Sequence, residues 1–470
     1  MSVKLELFRQ MVKSVPAYAD FLKRNKIYPK NIGSDVDLKN VPAMSKKNYL
    51  RLYPLEKLCL GGALKDKGVV YTATSGSTGK PFYFPRDKLL ENQYAVWGER
   101  FLENISGNKK PSILLIDCLG MGVWIGGLIT YQAFKILAEN GRPLSIITPG
   151  TNKQEVFQSL RNISHKYEMT ILCGYPPFIK DILDESQSEG INLKKLNLKL
   201  LFAAEAFSEK FRDYVAAKAG IKNVLIETAN IYGSADLGAM AIETPISIFI
   251  RRQALKNKKL FQALFGGIDK VPTLAQFNPL FTDFESEDGN ILCTGRSVLP
   301  LFKYAIGDHG GVIKLKEMVE IFKREGMDLS KLAVRVGIKN SLKLPFVYVY
   351  ERADFSVKLY GAIIYPEHIK PALLHGSVSE ALTGKFTLET VHDEKHNEGL
   401  QIHIELRTDK QVDSKLSEKI CNLIVDSLLS KNAEYADMAG KRAGHIPKLK
   451  FWPYEHPDYF KKGGKQKWVK

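Results

Sequence analysis

Eight consecutive residues, Thr74-Ser75-Gly76-Ser77-Thr78-Gly79-Lys80-Pro81, set four hydroxyls, two glycines and one lysine side by side. A loop of this composition can wrap backbone N–H groups and hydroxyls around a polyphosphate, with Lys80 adding a point charge. Its approach, Gly68-Val69-Val70-Tyr71-Thr72, is β-branched and aromatic and reads as a strand. The spacing of a Walker A loop is absent, and a proline follows the lysine. A polar turn between two strands is the plain alternative.

Further segments carry side chains suited to the same chemistry. Ala203-Ala204-Glu205-Ala206-Phe207 follows one apolar run, and Ile231-Tyr232-Gly233-Ser234-Ala235-Asp236-Leu237-Gly238 follows another. Lys303-Tyr304-Ala305-Ile306-Gly307-Asp308 comes next, then Arg352-Ala353-Asp354 with Lys358 and Gly361, and finally Gly464-Lys465. Each has a blander reading. Asp308 stands before His309-Gly310-Gly311 and suits a turn. Tyr232 suits core packing. Lys465 is one lysine among several, with Lys467 as its competitor. Glu205 could cap the helix beginning near Ser208, although Ser208 is the better N-cap. None of the nine histidines shows ligand spacing.

In this order the segments resemble the adenylate-forming superfamily of acyl-CoA synthetases, peptide-synthetase adenylation domains and luciferases, over about residues 15–470. Within it the chain is most similar to the phenylacetate–CoA ligase branch and its capsular-polysaccharide-biosynthesis relatives. The resemblance implies ATP-dependent activation of a carboxylic acid to an acyl-adenylate, with release of pyrophosphate. Acyl transfer to a thiol such as coenzyme A then follows; an amine or a carrier-protein thiol is also compatible. It assigns Thr74 to Lys80 to the β- and γ-phosphates, and Ala204 and Glu205 to the adenine. Tyr232 would stack on the base with Gly233 and Ser234 beside it, and Asp308 would accept from the ribose hydroxyls. Arg352 belongs to the nucleotide site, and Lys465 is the mobile lysine that reaches the α-phosphate. Asp236 would hold Mg²⁺, and Asp354 would be the hinge.

Three departures stand out. The family usually has glutamate where Asp236 stands, and a glycine where Glu351 precedes the arginine. The interval from Asp308 to Arg352 is long, which leaves an insertion around 314–344, and 245–279 also looks inserted. Neither insertion has a role legible in its residues. The acid should lie near Gly120-Met121-Gly122-Val123-Trp124 and Ala229-Asn230-Ile231, where Trp124 and Tyr175 suggest an apolar or aromatic acid.

The elements that must position these residues form two textures. Between about 68 and 230, short apolar runs such as Ser112–Ile116, Leu144–Ile147, Thr170–Cys173 and Leu198–Phe202 alternate with helical patterns at Trp124–Ala138, Lys153–Lys166, Phe178–Ser188 and Ser208–Ala219. That alternation predicts βαβ units and a mostly parallel sheet, with ligands beyond its carboxyl ends. From about 350, half-buried alternating strands at 357–361, 386–391 and 400–406 interleave with helices at 367–374 and 415–429. The expected fold is therefore α/β with a small C-terminal α+β domain, which the resemblance makes a large AMP-binding domain over 1–352 and a small mobile lid over 353–470. Aromatics interleave with the lysines of the last thirty residues, so part of that tail should pack.

Composition bounds the partners. At 470 residues two domains are expected, and 44% hydrophobic with 25% charged residues is a globular composition. A net charge of +17 favours polyanionic partners. A non-catalytic nucleic-acid-binding protein would explain that charge but not the ordered motifs, and no RNA-binding signature is present. Five scattered cysteines without CxxC pairs fit reduced thiols and a cytoplasmic setting. The N-terminus has no apolar core of a secretory signal. The stretch 113–137 carries Asp117, Lys135 and four glycines, so it reads as strand, turn and helix rather than a membrane span.

Overall fold

The computed structural model describes residues 2–65, 68–73, 81–107, 109–122, 126–266, 271–338, 342–350, 356–441, 445–460 and 468–469. The chain divides into two compact units, one of Met1–Ala73, Tyr83–Gly174 and Ile182–Glu351, the other of Thr74–Phe82, Tyr175–Asp181 and Arg352–Lys470. Among the described residues no helix is long and apolar enough to cross a membrane.

In the first unit, β1 (Val70–Ala73) and β2 (Tyr83–Arg86) form an antiparallel hairpin on either side of the Gly/Ser loop. Then come β3 (Ile113–Asp117), β4 (Leu144–Ile147), β5 (Met169–Gly174) and β6 (Leu198–Ala203). Every residue of β3 and β5 is buried, as strands covered by helices on both faces require. The intervening helices start and stop where local chemistry directs. Ser208 accepts from the Phe211 amide at the head of Glu209–Ala219, and Gly220 ends that helix at φ 73°. The apolar run Val224-Leu225-Ile226 is a short helix, and the strand starts only at Thr228.

β7 (Thr228–Ser234) is the last strand of the parallel half, and β8 (Gly238–Ile242) turns back against it. The sheet continues antiparallel through β9 (Thr273–Phe277), β10 (Thr282–Glu287), β11 (Asn290–Gly295), β12 (Leu301–Ile313) and β13 (Phe346–Tyr350). Eleven strands result, in the order β10-β11-β12-β13-β9-β8-β7-β6-β5-β3-β4. The motif 231–238 thus sits where the sheet changes from parallel to antiparallel. Asp308 lies inside β12 rather than in a turn.

The two insertions fold together. Helices Pro245–Lys256 and Lys258–Phe265 share one apolar cluster with Leu315–Arg324 and Leu329–Arg335, built on buried Ile250, Leu260, Leu264, Met318, Phe322 and Phe346. Two segments far apart in sequence therefore stabilise each other by apolar burial.

The second unit contains the hairpin β14 (Val357–Leu359) and β15 (Ala362–Ile364), and a sheet of β16 (Leu382–His392), β17 (Glu398–Leu406) and β18 (Lys448–Trp452). Phe386, Ile402, Ile404, Ile424 and Leu428 fill its core. The basic tail packs through its aromatics: Trp468 stands edge-on to Phe386 at 5.2 Å, and its carbonyl accepts from the Leu388 amide at 2.8 Å.

The β12–β13 contact is close enough to be tested. A Cβ on Gly310 would stand 1.9 Å from the Tyr348 carbonyl oxygen of β13. Gly310→Ala should therefore destabilise the protein by about 3 kcal/mol or more, at the upper end for overpacking. Urea denaturation measures this, and an unchanged midpoint would contradict the close approach.

Candidate functional site

Two tyrosine–aspartate hydrogen bonds tie the β7–β8 hairpin to β12. The Tyr232 hydroxyl donates to Asp308 Oδ2 at 2.5 Å, and the Tyr304 hydroxyl donates to Asp236 Oδ2 at 2.6 Å. Each segment thus contributes one donor and one acceptor, four residues apart, in reciprocal order. β7 and β12 are not ladder neighbours, so these bonds cross the sheet rather than extend it.

The N-terminal segment supports the arrangement. The Met44 amide donates to the Lys303 carbonyl and the Ala305 amide to the Met44 carbonyl, so this segment adds alongside β12. It delivers Lys46, whose Nζ stands 3.5 Å from Asp236 Oδ2. Asp236 is only 5% exposed, and its Oδ1 takes part in neither contact. Cys293 of β11 lies beneath. Burial pushes its thiol well up, and Asp308, Asp236 and Asp283 push the same way, so it is an inert thiol.

The segment Ala204–Phe207 is held from two sides. The Asn230 side-chain amide donates to the Glu205 carbonyl at 2.9 Å, and Glu205 is itself buried. Ala204 has φ 74°, a left-handed backbone that a non-glycine residue adopts at a cost. From the other side Arg251 of the first insertion donates to the Phe207 carbonyl at 2.5 Å and reaches Glu209 at 2.8 Å. Arg212 joins Glu209 at 3.0 Å and Glu243 at 2.7 Å, while Arg252 reaches Glu209 at 3.0 Å and Asp213 at 2.8 Å. Burial alone would raise the Glu209 carboxyl, but Arg212, Arg251 and Arg252 hold it below its ordinary range.

Of the expected site residues, Tyr232, Gly233, Ser234, Asp236 and Asp308 come together, and Ala204 and Glu205 connect to them through Asn230. Thr74 to Lys80, Trp124, Arg352, Asp354 and Lys465 lie outside the described residues. Tyr175 belongs to the second unit, is partly buried, and its ring would stand 3.1 Å from a Cβ on Gly361. Tyr304 and Lys46 went unassigned in the sequence. Tyr304-Ala-Ile-Gly-Asp308 repeats the spacing of Tyr232-Gly-Ser-Ala-Asp236, a signal that could have revealed the pairing. Nothing in the residues around Lys46 announces its role.

No three His, Cys, Asp or Glu side chains cluster as a metal site among the described residues. One carboxylate suits an ion that keeps several waters and binds mainly through substrate phosphates, as Mg²⁺ does. Asp236 Oδ1 fits that use.

No protein-family model and no curated protein sequence matches the chain. Solved structures do. A 2-hydroxyisobutyryl-CoA ligase in complex with 2-HIB-AMP and CoA, in its thioesterification state, aligns with TM-score 0.65 and 14% identity over 99% of this chain and 87% of its own. An open conformation of that ligase gives TM-score 0.52 and 12% identity over 99% of this chain and 89% of its own. An amide bond synthetase from Marinactinospora thermotolerans aligns more weakly, at TM-score 0.48 and 12% identity over 93% of this chain and 74% of its own. The chain shares the fold of the ligase: a large mixed α/β sheet with its parallel half flanked by helices, and a separate small C-terminal sheet domain.

The buried ion network gives a second prediction. Arg212→Met should cost about 3–5 kcal/mol, because it removes the nearest partner of buried Glu243 and one of the three arginines around Glu209. The loss should shrink as acid protonates Glu209, since a depressed carboxyl contributes stability that fades as pH falls. Thermal unfolding from neutral pH downward checks both, and an unaltered melting temperature would contradict them.

Proposed function

We propose that the chain is an adenylate-forming ligase. It would join a carboxylic acid to the α-phosphate of ATP, expel pyrophosphate, and pass the acyl group to a thiol such as coenzyme A. The observation that carries this reading is the reciprocal Tyr–Asp pair at the point where the sheet changes direction, on a fold shared with a ligase solved with an acyl-AMP and CoA. Two carboxylates and one aromatic face held by the same pair of segments would suit a nucleotide's ribose, metal and base.

In this reading a carboxylate oxygen of the acid attacks the α-phosphorus, and the bond to the bridging oxygen of the leaving pyrophosphate breaks. Asp308 accepts from the ribose hydroxyls while Tyr232 steadies it and offers its ring to the base. Glu205 and Ala204 border the adenine. Thr74 to Lys80 envelop the β- and γ-phosphates, and Arg352 adds charge to the nucleotide. Mg²⁺ bound to the phosphates would neutralise charge developing on the leaving group. Asp236 would hold that ion and Tyr304 would orient Asp236. Lys465 would approach from the second unit and stabilise the pentacoordinate phosphorus. In the second half-reaction the acceptor attacks the acyl carbon and AMP leaves. Asp354 would be the hinge between the two steps. The phenylacetate–CoA ligase branch remains the preferred affiliation, with an amine or carrier thiol as alternative acceptor and the cytoplasm as the expected setting.

Pyrophosphate exchange into ATP, screened over a panel of carboxylic acids, tests the reading. At least one acid should support exchange. Lys465→Ala should reduce it by roughly 10² to 10⁴, the range for a charge acting at the transition state, with Lys467→Ala nearly silent. No exchange with any acid, in a chain that also fails to bind ATP, would sink the proposal. Asp308→Ala should act differently, weakening ATP binding by about 10- to 100-fold because the ribose contact exists before the transition state. Calorimetric titration of ATP measures it, and unchanged affinity would reject the ribose role.

A further inference from the structure

Arg86, the last residue of β2, is 2% exposed, and among the described residues none of its three guanidinium nitrogens has a hydrogen-bond partner. Asp87 and Glu91 add favourable charge from a distance, but neither bonds it. Burial lowers its pKa to about 10, which still leaves it cationic at neutral pH. The other large buried arginines, Arg212 and Arg251, are each paired to carboxylates. Arg86 alone among these three has no carboxylate bonded to it among the described residues.

Its position is specific. β2 is the strand that leaves the Gly/Ser loop, and its partner β1 is fastened to the β7–β8 turn, where the Thr72 hydroxyl donates to the Ala235 carbonyl at 2.8 Å. On the same face of β2, Phe84 lies 5.9 Å from Lys46 Nζ, which in turn approaches Asp236. Arg86 lies two residues further along. A Cβ on Gly238 would stand 2.6 Å from its Nη2, so the guanidinium lies against the turn only two residues beyond Asp236. Gly238 has φ 75°, so both conformation and space require glycine there.

We propose that Arg86 is a phosphate-contacting residue whose ligand is the pyrophosphate portion of the nucleotide. This rests on the proposed nucleotide role of the 234–238 turn. A buried ion without a counter-charge is costly, and such costs persist where a ligand supplies the missing partner. Among the described residues no carboxylate hydrogen-bonds this guanidinium. A diphosphate carries several charges and oxygens spaced for a bidentate guanidinium fork. The acid substrate offers only one charge, which is consumed when the adenylate forms. Arg86 would therefore bind ATP and pyrophosphate and be indifferent to AMP.

The test is calorimetric titration of the full chain with inorganic pyrophosphate, ATP and AMP, comparing wild type, Arg86→Met and Arg86→Lys, alongside thermal melts. Arg86→Met should weaken pyrophosphate and ATP by roughly 10- to 100-fold, as expected for losing hydrogen bonds to a charged group. AMP affinity should hold, and the melting temperature should hold or rise because an unpaired buried charge is gone. Arg86→Lys should recover part of the affinity. Pyrophosphate affinity equal in wild type and Arg86→Met would overturn the proposal. So would a lower melting temperature with all three ligands weakened together, which marks a scaffold role. A wild type that binds pyrophosphate but not AMP, with pyrophosphate weakened in Arg86→Met, would leave Arg86 supported while the adenylation reading fails. Binding of AMP with pyrophosphate indifferent to residue 86 would do the reverse, and binding of neither would overturn both.

Discussion

The rest of the candidate site depends on the reciprocal hydrogen bonding of Tyr232 to Asp308 and Tyr304 to Asp236. Two carboxylates near one another repel, and an unanchored pair would turn outward toward water. Here each is held by a phenol from the segment that carries the other, so neither strand can shift without breaking both bonds. Two such bonds, one buried and one half-buried, reinforce each other because both join the same two segments. The N-terminal segment adds Lys46 beside Asp236, which offsets the local negative charge without covering Oδ1.

A second constraint supports the same region from the opposite side. The Arg212–Glu243–Glu209–Arg251 cluster joins the helix after β6 to the inserted helix Pro245–Lys256. Through Arg251 it also grips the Phe207 carbonyl at the end of the strained 204–207 segment. The insertion at 245–279 therefore does more than fill surface: it anchors a loop bordering the site. The second insertion stabilises the first by apolar packing, so both act on that loop in series.

The parallel half of the sheet was legible because continuous apolar runs buried on both faces leave a strong pattern. The cap at Ser208 and the αL glycine at 220 were equally plain, since each has a local chemical cause. The antiparallel half was harder. β12 is interrupted by Gly307, Gly310 and Gly311, which read as turn residues, yet Gly310 is there because β13 passes within contact of it. Motif order singled out Tyr232, Asp236 and Asp308, which the fold brings together, whereas Tyr304 escaped because its partner is 68 positions away. Lys46 and Arg86 escaped for the same reason. Contacts set by tertiary closure leave little trace in local pattern.

The central claim is that an acid carboxylate oxygen becomes bonded to the α-phosphorus of a nucleotide held by this site. Isotope tracing tests it most directly. An acid that supports exchange, labelled with ¹⁸O in both carboxylate oxygens, is carried through transfer to its acceptor, and the products are analysed by mass spectrometry. Cleavage between the acyl carbon and the bridging oxygen leaves that oxygen on phosphorus, so one label is predicted in AMP. Label in orthophosphate, or acyl product formed beside unlabelled AMP, would contradict the account.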